Sequence, residues 1–380
     1  MRFDRRELAG AVADVGVLIP IAVALIVGNG LSATAVLLPA GLLYLTAAAV
    51  YRLPIPVQPL KAFGAIAIAK GLGSDEIAAG ALLMGIVFLT LGRLGLLDLA
   101  ARSFPRPLIR GVQLTVGLLF LTIAWELVNH PPKGFQAYAL DAGWALPLAM
   151  LTLVLAFALR AYPITLVLVA IGGLTALVLA GDEAALGPSA LAFPSLDAAT
   201  FITAFTVLVV PQIPLSFANS CLATADAARV YFGAAGERVR PGRLATTFGS
   251  ANLLAGAVSG MPVCHGAGGL TAHYAFGART AGAPIAMGAA LLTLALAVGS
   301  SLAALLAAFP LPILAGVLAT AGVLHILLLR DLRGARAWGF ALLVGAVGFA
   351  LNLTVALGLG LALWWGAEGL RRLPRLRPTG

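Results

Sequence analysis

The 380-residue chain has little charge and little cysteine, and these two shortages exclude several classes of protein. Charged residues make up 10% of the sequence, whereas hydrophobic residues make up 61%. A soluble protein of this size needs roughly 25% charged residues to cover its surface. We therefore predict an all-α, multi-pass membrane protein whose exterior mostly faces lipid. The two cysteines, Cys221 and Cys264, exclude a disulfide framework.

Catalytic and metal-binding motifs are also missing. The four histidines lack a ligand spacing such as H-E-x-x-H. The sequence has neither a P-loop for ATP nor a nucleophile elbow. We therefore predict no enzyme activity, no metal, no cofactor and no ATP-driven transport. The net charge of +9 does not indicate nucleic acid, because the arginines lie in short loops between hydrophobic segments.

What the sequence does contain is a series of hydrophobic segments, each suited to a membrane-spanning helix. Such a helix needs about 20 apolar residues. Fourteen segments are predicted, of which the third and tenth are short and interrupted. They are 8–28, 32–51, 55–70, 77–97, 107–128, 143–160, 164–180, 201–221, 243–259, 263–277, 283–306, 311–329, 337–352 and 354–370.

The distribution of arginine orients these segments, because Lys and Arg collect on the cytoplasmic side of a membrane. With the N-terminus inside, all arginines fall on the cytoplasmic side, Lys70 and Lys133 fall on the outer side, and Lys61 falls within the third span. The start of the chain runs into the first span without a signal-peptide cleavage site. We predict a bacterial-type inner (plasma) membrane protein with both termini in the cytoplasm.

The two halves of the sequence resemble each other. Three pairs of segments match in order and at nearly constant offset, namely Phe104–Val112 with Phe309–Val317, Pro56–Val57 with Pro262–Val263, and Ile19–Ile21 with Ile213–Leu215. Seven spans per half is an odd number, so the second half (183–380) is predicted to be inverted relative to the first (1–182). Inverted repeats with broken helices indicate the binding site of a secondary transporter, although proline and glycine also kink ordinary helices.

The third and tenth spans are predicted to be half-helices that begin inside the membrane. Three prolines between Leu53 and Pro59 prevent a helix there. The tenth span repeats this plan, with glycines at 266, 268 and 269 that allow close approach of a ligand. Two helix N-termini that face each other favour an anion, and Lys61 adds a full positive charge.

Polar residues around these two breaks complete the predicted site. An intramembrane lysine needs a partner, which is either the substrate or Asp14. Amides, imidazoles and backbone N–H groups are good oxyanion donors, but each side chain is equally suited to bonding between helices. The predicted substrate-binding residues are Gln58, Pro59, Lys61, Gln212, Asn219, Cys264, His265, Gly266, Ala267, Gly268 and Gly269.

Several of these motifs resemble the molybdate transporter family, a divergent branch of the sulfate permease superfamily. The most specific segments are Pro56–Ala62, Met261–Gly269 and His273–Arg279, and the similarity extends to Pro107–Gln113 and to Val210–Ser216 with Asn219. It covers nearly the whole chain. Leu60 departs from the methionine that is usual in the family.

The resemblance implies a fold of fourteen helices in a seven-plus-seven inverted repeat, shared with sulfate and nucleobase permeases. In that fold a core of spans 1–4 and 8–11 holds the substrate and slides as an elevator against a gate of spans 5–7 and 12–14. The soluble regulatory domain that follows the last span in sulfate permeases is expected to be absent. A homodimer, if formed, would use membrane surfaces on the gate.

The predicted function is secondary active import of a tetrahedral oxyanion, with molybdate first, sulfate second, and tungstate as a competitor of molybdate. Proton symport would help to draw a dianion against an inside-negative potential, and Asp14 and Glu126 are candidate proton carriers. A structural salt bridge between Asp14 and Lys61 is the alternative role for Asp14. The alternative functions are a nucleobase permease on the same fold and an anion channel.

Overall fold

The computed structural model describes residues 1–181 and 185–372. The predicted boundary between the repeats, at residues 182 and 183, lies outside these ranges, as does the end of the chain after the last span. Helices of the first half are α1 Arg5–Ala11, α2 Val15–Asn29, α3 Ala33–Tyr51, α4 Lys61–Lys70, α5 Ser74–Arg93, α6 Leu96–Ala101, α7 Arg106–Asn129, α8 Ala142–Ala158 and α9 Ile164–Ala180.

The described residues of the second half, which end at Arg372, contain ten further α-helices. They are α10 Ala198–Ala204, α11 Val210–Leu215, α12 Thr224–Phe232, α13 Pro241–Ala257, α14 Ala267–Ala275, α15 Gly282–Ala297, α16 Leu302–Ala307, α17 Leu311–Ile326, α18 Ala335–Ala350 and α19 Leu353–Arg372. The two strands of the described residues are β1 Gln58–Pro59 and β2 Val263–Cys264.

Short irregular turns of helix connect several of these elements. A 3₁₀ turn at Val12–Asp14 joins α1 to α2, so the first span begins earlier than predicted and is interrupted at Asp14. The π-helical segments Phe205–Val209 and Ser216–Ala223 link α10, α11 and α12. The remaining 3₁₀ segments are Lys133–Tyr138, Gly233–Arg238 and Leu327–Asp331.

Each of the fourteen predicted spans contains at least one helix. Six helical stretches of the described residues are long and apolar enough to cross a bilayer, and five shorter apolar helices accompany them. The eighth predicted span is part of the longest stretch, Ala198–Arg238, which has 41 residues. The architecture is therefore that of a multi-pass helical membrane protein, and the number of crossings stays a prediction.

The most extensive helix contacts fall into two groups. One group joins α5 to α13 and α3 to α15, and the other joins α7 to α17 and α18, and α8 to α17. If each helix is replaced by its counterpart in the other half of the chain, the α5–α13 contact becomes the α3–α15 contact. In the same way, the α7–α18 contact becomes the α8–α17 contact. The helices of the first group belong to the predicted core and those of the second to the predicted gate, and this division stays a prediction.

Glycines allow the helices of the second group to approach closely, as is common between helices in lipid. Gly117 of α7 faces Gly322 of α17, so a Cβ on either would lie 2.9 Å from the carbonyl oxygen of the other. Gly111 packs against Val344 of α18, and its counterpart in the repeat, Gly316, packs against α8. The same small residues thus make equivalent contacts in both halves.

A buried carboxylate ties the N-terminal helix to the second half of the chain. Glu7 is 1% exposed. Its Oε1 accepts hydrogen bonds from the backbone N–H of Thr280 at 2.8 Å and of Ala283 at 3.3 Å, and its Oε2 accepts from Arg279 N at 3.0 Å. Because its oxygens are satisfied by these donors, the buried charge fixes α1 against the start of α15.

We expect Gly117→Ala to lower the thermal unfolding midpoint of the detergent-purified protein. The added methyl group would meet the Gly322 carbonyl and Ile326, and such overpacking costs about 1–3 kcal/mol. Gly339→Ala on α18 is the matched control, because its Cβ would meet nothing within 4 Å. Equal midpoints for the two variants would contradict close α7–α17 packing.

Candidate anion-binding site

The centre of the site is the place where the two broken spans cross. β1 and β2 pair antiparallel, with Gln58 opposite Cys264 and Pro59 opposite Val263. A further backbone bond joins Leu60 N to Pro262 O at 3.1 Å. Prolines keep these segments extended rather than helical. The register places Gln58 opposite the residue that the repeat predicts as its counterpart.

Side chains from a neighbouring helix hold the second strand in place. Asn252 of α13 donates from Nδ2 to the carbonyl oxygen of Val263 at 2.9 Å and accepts from Val263 N at 2.7 Å. Asn252 is fully buried. These two bonds satisfy the backbone N–H and carbonyl oxygen of Val263. The extended backbone therefore leaves neither of these buried groups unpaired.

Both half-helices begin directly after their strands. α4 has 10 residues and α14 has 9. At about 1.5 Å per residue each reaches roughly half of a 30 Å hydrocarbon layer. The two N-termini therefore meet at the crossing, where their unpaired N–H groups and helix dipoles create a positive potential.

The first turns of the two half-helices differ in how their N–H groups are satisfied. In α4, Phe63 N donates to Gln212 Oε1 at 2.8 Å, and the amide nitrogen of Gln212 donates to Ser216 Oγ. In α14, no side chain caps the helix, and the N–H groups of Ala267–Gly269 have no hydrogen-bond partner among the described residues. The N-terminus of α14 is therefore the freer anion-binding group of the two.

Gln58 joins the intramembrane lysine to the intramembrane carboxylate. Lys61 Nζ donates to Gln58 Oε1 at 2.6 Å, and Gln58 Nε2 donates to Asp14 Oδ1 at 2.6 Å. Lys61 and Asp14 do not form the direct salt bridge considered from the sequence, because the Gln58 amide stands between them. The other oxygen of Asp14, Oδ2, is buried without a hydrogen-bond partner in the described structure.

Two glycines of the tenth span are needed for this arrangement. A Cβ on Gly266 would overlap Gln58 Oε1, and a Cβ on Gly269 would lie 2.7 Å from Gln58 Nε2 and 2.5 Å from Asp14 Oδ2. Gly268 faces the ring of Phe120, and the Lys61 ammonium lies 5.5 Å from the centroid of the same ring. The glycines thus allow the bridge to lie directly against the first turn of α14.

His265 is at the crossing, but both of its ring nitrogens are bonded within the protein. Nδ1 donates to the carbonyl oxygen of Pro56 at 2.9 Å, so Nε2 is the acceptor of its 2.9 Å bond with the Thr247 hydroxyl. The ring also packs edge-on against Tyr51. This geometry favours a structural role for the imidazole and leaves anion binding to the backbone that follows it.

Of the remaining predicted residues, Cys264 and Asn219 are buried, whereas Glu126 is exposed. Cys264 is buried beside Pro59, with Sγ 3.9 Å from the proline carbonyl oxygen. Asn219 is 2% exposed, and its Oδ1 has no partner in the described structure. Glu126, by contrast, lies about two turns beyond Phe120 on α7, where it is 54% exposed and bonded to His130.

Three further residues make contacts at or near the site and were given no role from the sequence. Phe120 of α7 contacts Lys61 and Gly268. His325 of α17 lies 2.8 Å from Thr271 Oγ1 on α14, and its Nε2 is buried and unpartnered in the described structure. Arg110 is fully buried and pairs with Asp226 and Asp331. Arg110 belongs to the segment Pro107–Gln113, which was named for its family resemblance. The partners of Arg110 are distant in sequence and were not predicted.

Comparison with known sequences agrees with the family predicted from the motifs. The family described as "Molybdate transporter of MFS superfamily" matches residues 6–120 and 204–324, well over half of the chain. Molybdate transporter 2 of Arabidopsis thaliana is 27% identical over 93% of this chain and 85% of its own length. Molybdate transporter 1 of Chlamydomonas reinhardtii is 28% identical over 92% of this chain and 88% of its own length.

Comparison with solved structures confirms the predicted fold. The transmembrane domain of the cyanobacterium bicarbonate transporter BicA matches with a TM-score of 0.59 and 20% identity, covering 95% of this chain and 98% of that one. The murine Solute Carrier 26 family member A9 anion transporter, in the inward-facing state, matches with a TM-score of 0.61 and 13% identity, covering 96% and 68%. At these identities the likeness is one of fold alone.

Proposed function

This chain belongs to the molybdate transporter family, and from that premise we propose that it imports molybdate through the crossing of its two half-helices. The curated relatives named as molybdate transporters support this substrate. The observation that carries the proposal is the position of Lys61, in the first turn of α4 and beside the unpaired N-terminus of α14. Tungstate, which has the same charge and shape, is expected to compete.

The charges at the crossing suit a tetrahedral dianion. Each helix N-terminus is equivalent to about half a positive charge, so Lys61 and two N-termini supply about two positive charges. A low dielectric strengthens their attraction for the anion. N–H groups of Ala267–Gly269 and the Lys61 ammonium offer hydrogen bonds to oxygens in different directions. A neutral nucleobase would gain little from these charges.

An ionised Asp14 carboxylate would repel the bound anion. The carboxylate reaches the same first turn of α14 and is joined to Lys61 through Gln58. A bound dianion beside an ionised Asp14 would leave the site with an excess negative charge. We therefore propose that a proton enters on Asp14 with the substrate, which gives proton symport.

The elevator movement proposed for this fold requires contacts between core and gate to break. Arg110 of α7 lies on the predicted gate and bonds to Asp331 of the same part through Nε at 2.9 Å. It also bonds through Nη1 to Asp226 of α12, on the predicted core. Gln113, one turn along α7, accepts from Arg110 at 2.7 Å. The Arg110–Asp226 bond is thus a buried charged contact across the proposed sliding surface.

Lys61→Ala is expected to raise the molybdate concentration for half-maximal uptake by proteoliposomes at least about tenfold. Loss of a charge-assisted hydrogen bond in such a site weakens binding by at least about tenfold. Lys70→Ala, at the exposed end of the same half-helix, is the matched control and should transport normally. Uptake by the Lys61 variant with unchanged affinity would refute charge compensation by this lysine.

Asp14→Asn is expected to uncouple transport from protons. In the wild type, an acidic exterior should accelerate uptake, because the proton enters with the anion. The variant should exchange molybdate but show no response to the proton gradient. Glu126→Gln serves as the control carboxylate, exposed and remote from Lys61. An Asp14 variant that still follows the gradient would remove Asp14 from the coupling mechanism.

Asp226→Asn is expected to raise the maximal uptake rate several-fold while molybdate affinity stays unchanged. The substitution weakens the contact between core and gate, whereas Arg110 keeps its bonds to Asp331. Arg106→Gln is the control, because it removes an exposed partner of Asp331 within the gate. If both variants left the rate unchanged, the Arg110–Asp226 bond would not limit the movement.

A further inference from the structure

A cavity of 340 Å³ lies at the end of α14 that is remote from the crossing. Its polar lining residues are Arg160, Tyr231, Thr271, Tyr274 and Arg279, and the rest of its lining is apolar. No carboxylate belongs to this lining. Arg160 follows α8 on the predicted gate, whereas Arg279 follows α14 on the predicted core, so two cations from separate parts of the chain line one space.

Arg279 is held in position by stacking. Its guanidinium carbon lies 3.7 Å from the centroid of the Tyr274 ring. Tyr274 in turn stacks on Tyr231, with centroids 4.4 Å apart and planes at 13°. Glu7 fixes the backbone of Arg279, because its Oε2 accepts a hydrogen bond from Arg279 N at 3.0 Å. Arg279 is exposed, but the stacked rings and the bond to Glu7 hold it in one orientation, so it is preorganised.

Most donors of both arginines remain available. Arg279 uses Nη1 for backbone carbonyl oxygens of Tyr274 and Ala278. Arg160 uses Nη1 for the carbonyl oxygen of Phe157 at 2.5 Å. Among the residues that the structure describes, neither arginine forms an ion pair, and Nε and Nη2 of both have no acceptor. Such guanidinium groups suit a tetrahedral oxyanion.

Hydroxyl groups connect the cavity with the crossing. Tyr231 donates to Thr271 Oγ1 at 3.0 Å, and Thr271 lies 3.1 Å from the carbonyl oxygen of Ala267, in the first turn of α14. The cavity thus reaches within one helical turn of the N–H groups proposed to hold the substrate. Arg160 and Arg279 line the same cavity as Thr271.

We propose that this cavity is a second oxyanion-binding site, in which Arg160 and Arg279 receive the substrate on the cytoplasmic side of the crossing. The proposal rests on the function proposed above, because the same anion passes between the two sites. The positive potential of the cavity would lower the energy of a dianion that has left the half-helices. The phosphate of an anionic lipid has the same chemistry and is the competing occupant.

The test is equilibrium binding of radiolabelled molybdate to the full-length protein in nanodiscs of phosphatidylcholine. The wild type should bind two equivalents, Lys61→Ala should lose one, and Arg160→Gln with Arg279→Gln should lose the other. Arg330→Gln with Arg333→Gln is the matched control, because it removes the same charge from a different cavity. The control should keep both equivalents.

The outcomes separate this inference from the proposed function. A single equivalent that depends on Lys61 but not on Arg160 and Arg279 would overturn the second site and leave the function intact. A single equivalent that depends on the arginines alone would keep the cavity site and refute the site at Lys61. Absence of molybdate binding would overturn both. Loss of the second equivalent when phosphatidylglycerol is added would assign the cavity to lipid and overturn its role for substrate.

Discussion

The antiparallel crossing of two extended segments is the constraint on which the rest of the structure depends. Because β1 and β2 pair in the middle of the bundle, neither the third nor the tenth span can cross as one helix. Each resumes as a half-helix, and both N-termini are directed to the same place. The membrane supplies no water to satisfy these backbone groups, so protein side chains and, as proposed, the bound anion take its place.

In the proposed mechanism, charge balance at the crossing links binding to movement. Gln58 holds Lys61 and Asp14 in one hydrogen-bonded chain, so a change at either end alters the other. Phe120 and His325 of the predicted gate contact this part of the predicted core, and Arg110 joins the two parts nearer the end of α7. These contacts connect the proposed binding site with the surface along which the core is proposed to slide.

The sequence predicted the framework better than the details. Prolines at 54, 56 and 59 and glycines at 266, 268 and 269 have local effects on the backbone, which is why the broken helices were predictable. The offset between the repeats made Cys264 the counterpart of Gln58, and in the structure these two residues also pair across the two strands. The partners of His265 and Arg110 were not predictable, because Pro56, Asp226 and Asp331 are brought near them only by packing. A direct salt bridge between Asp14 and Lys61 was one of two roles considered for Asp14, and it does not form because the Gln58 amide lies between the two charges.

The most direct test of the central claim is the position of a bound oxyanion. Tungstate scatters X-rays anomalously, so its site can be located in crystals of the protein soaked at low concentration. We predict a tungsten peak at the crossing, with oxygens within hydrogen-bond distance of Lys61 Nζ and of the N–H groups of Ala267–Gly269. A protein that transports molybdate but shows no tungsten peak between the half-helices would contradict the account.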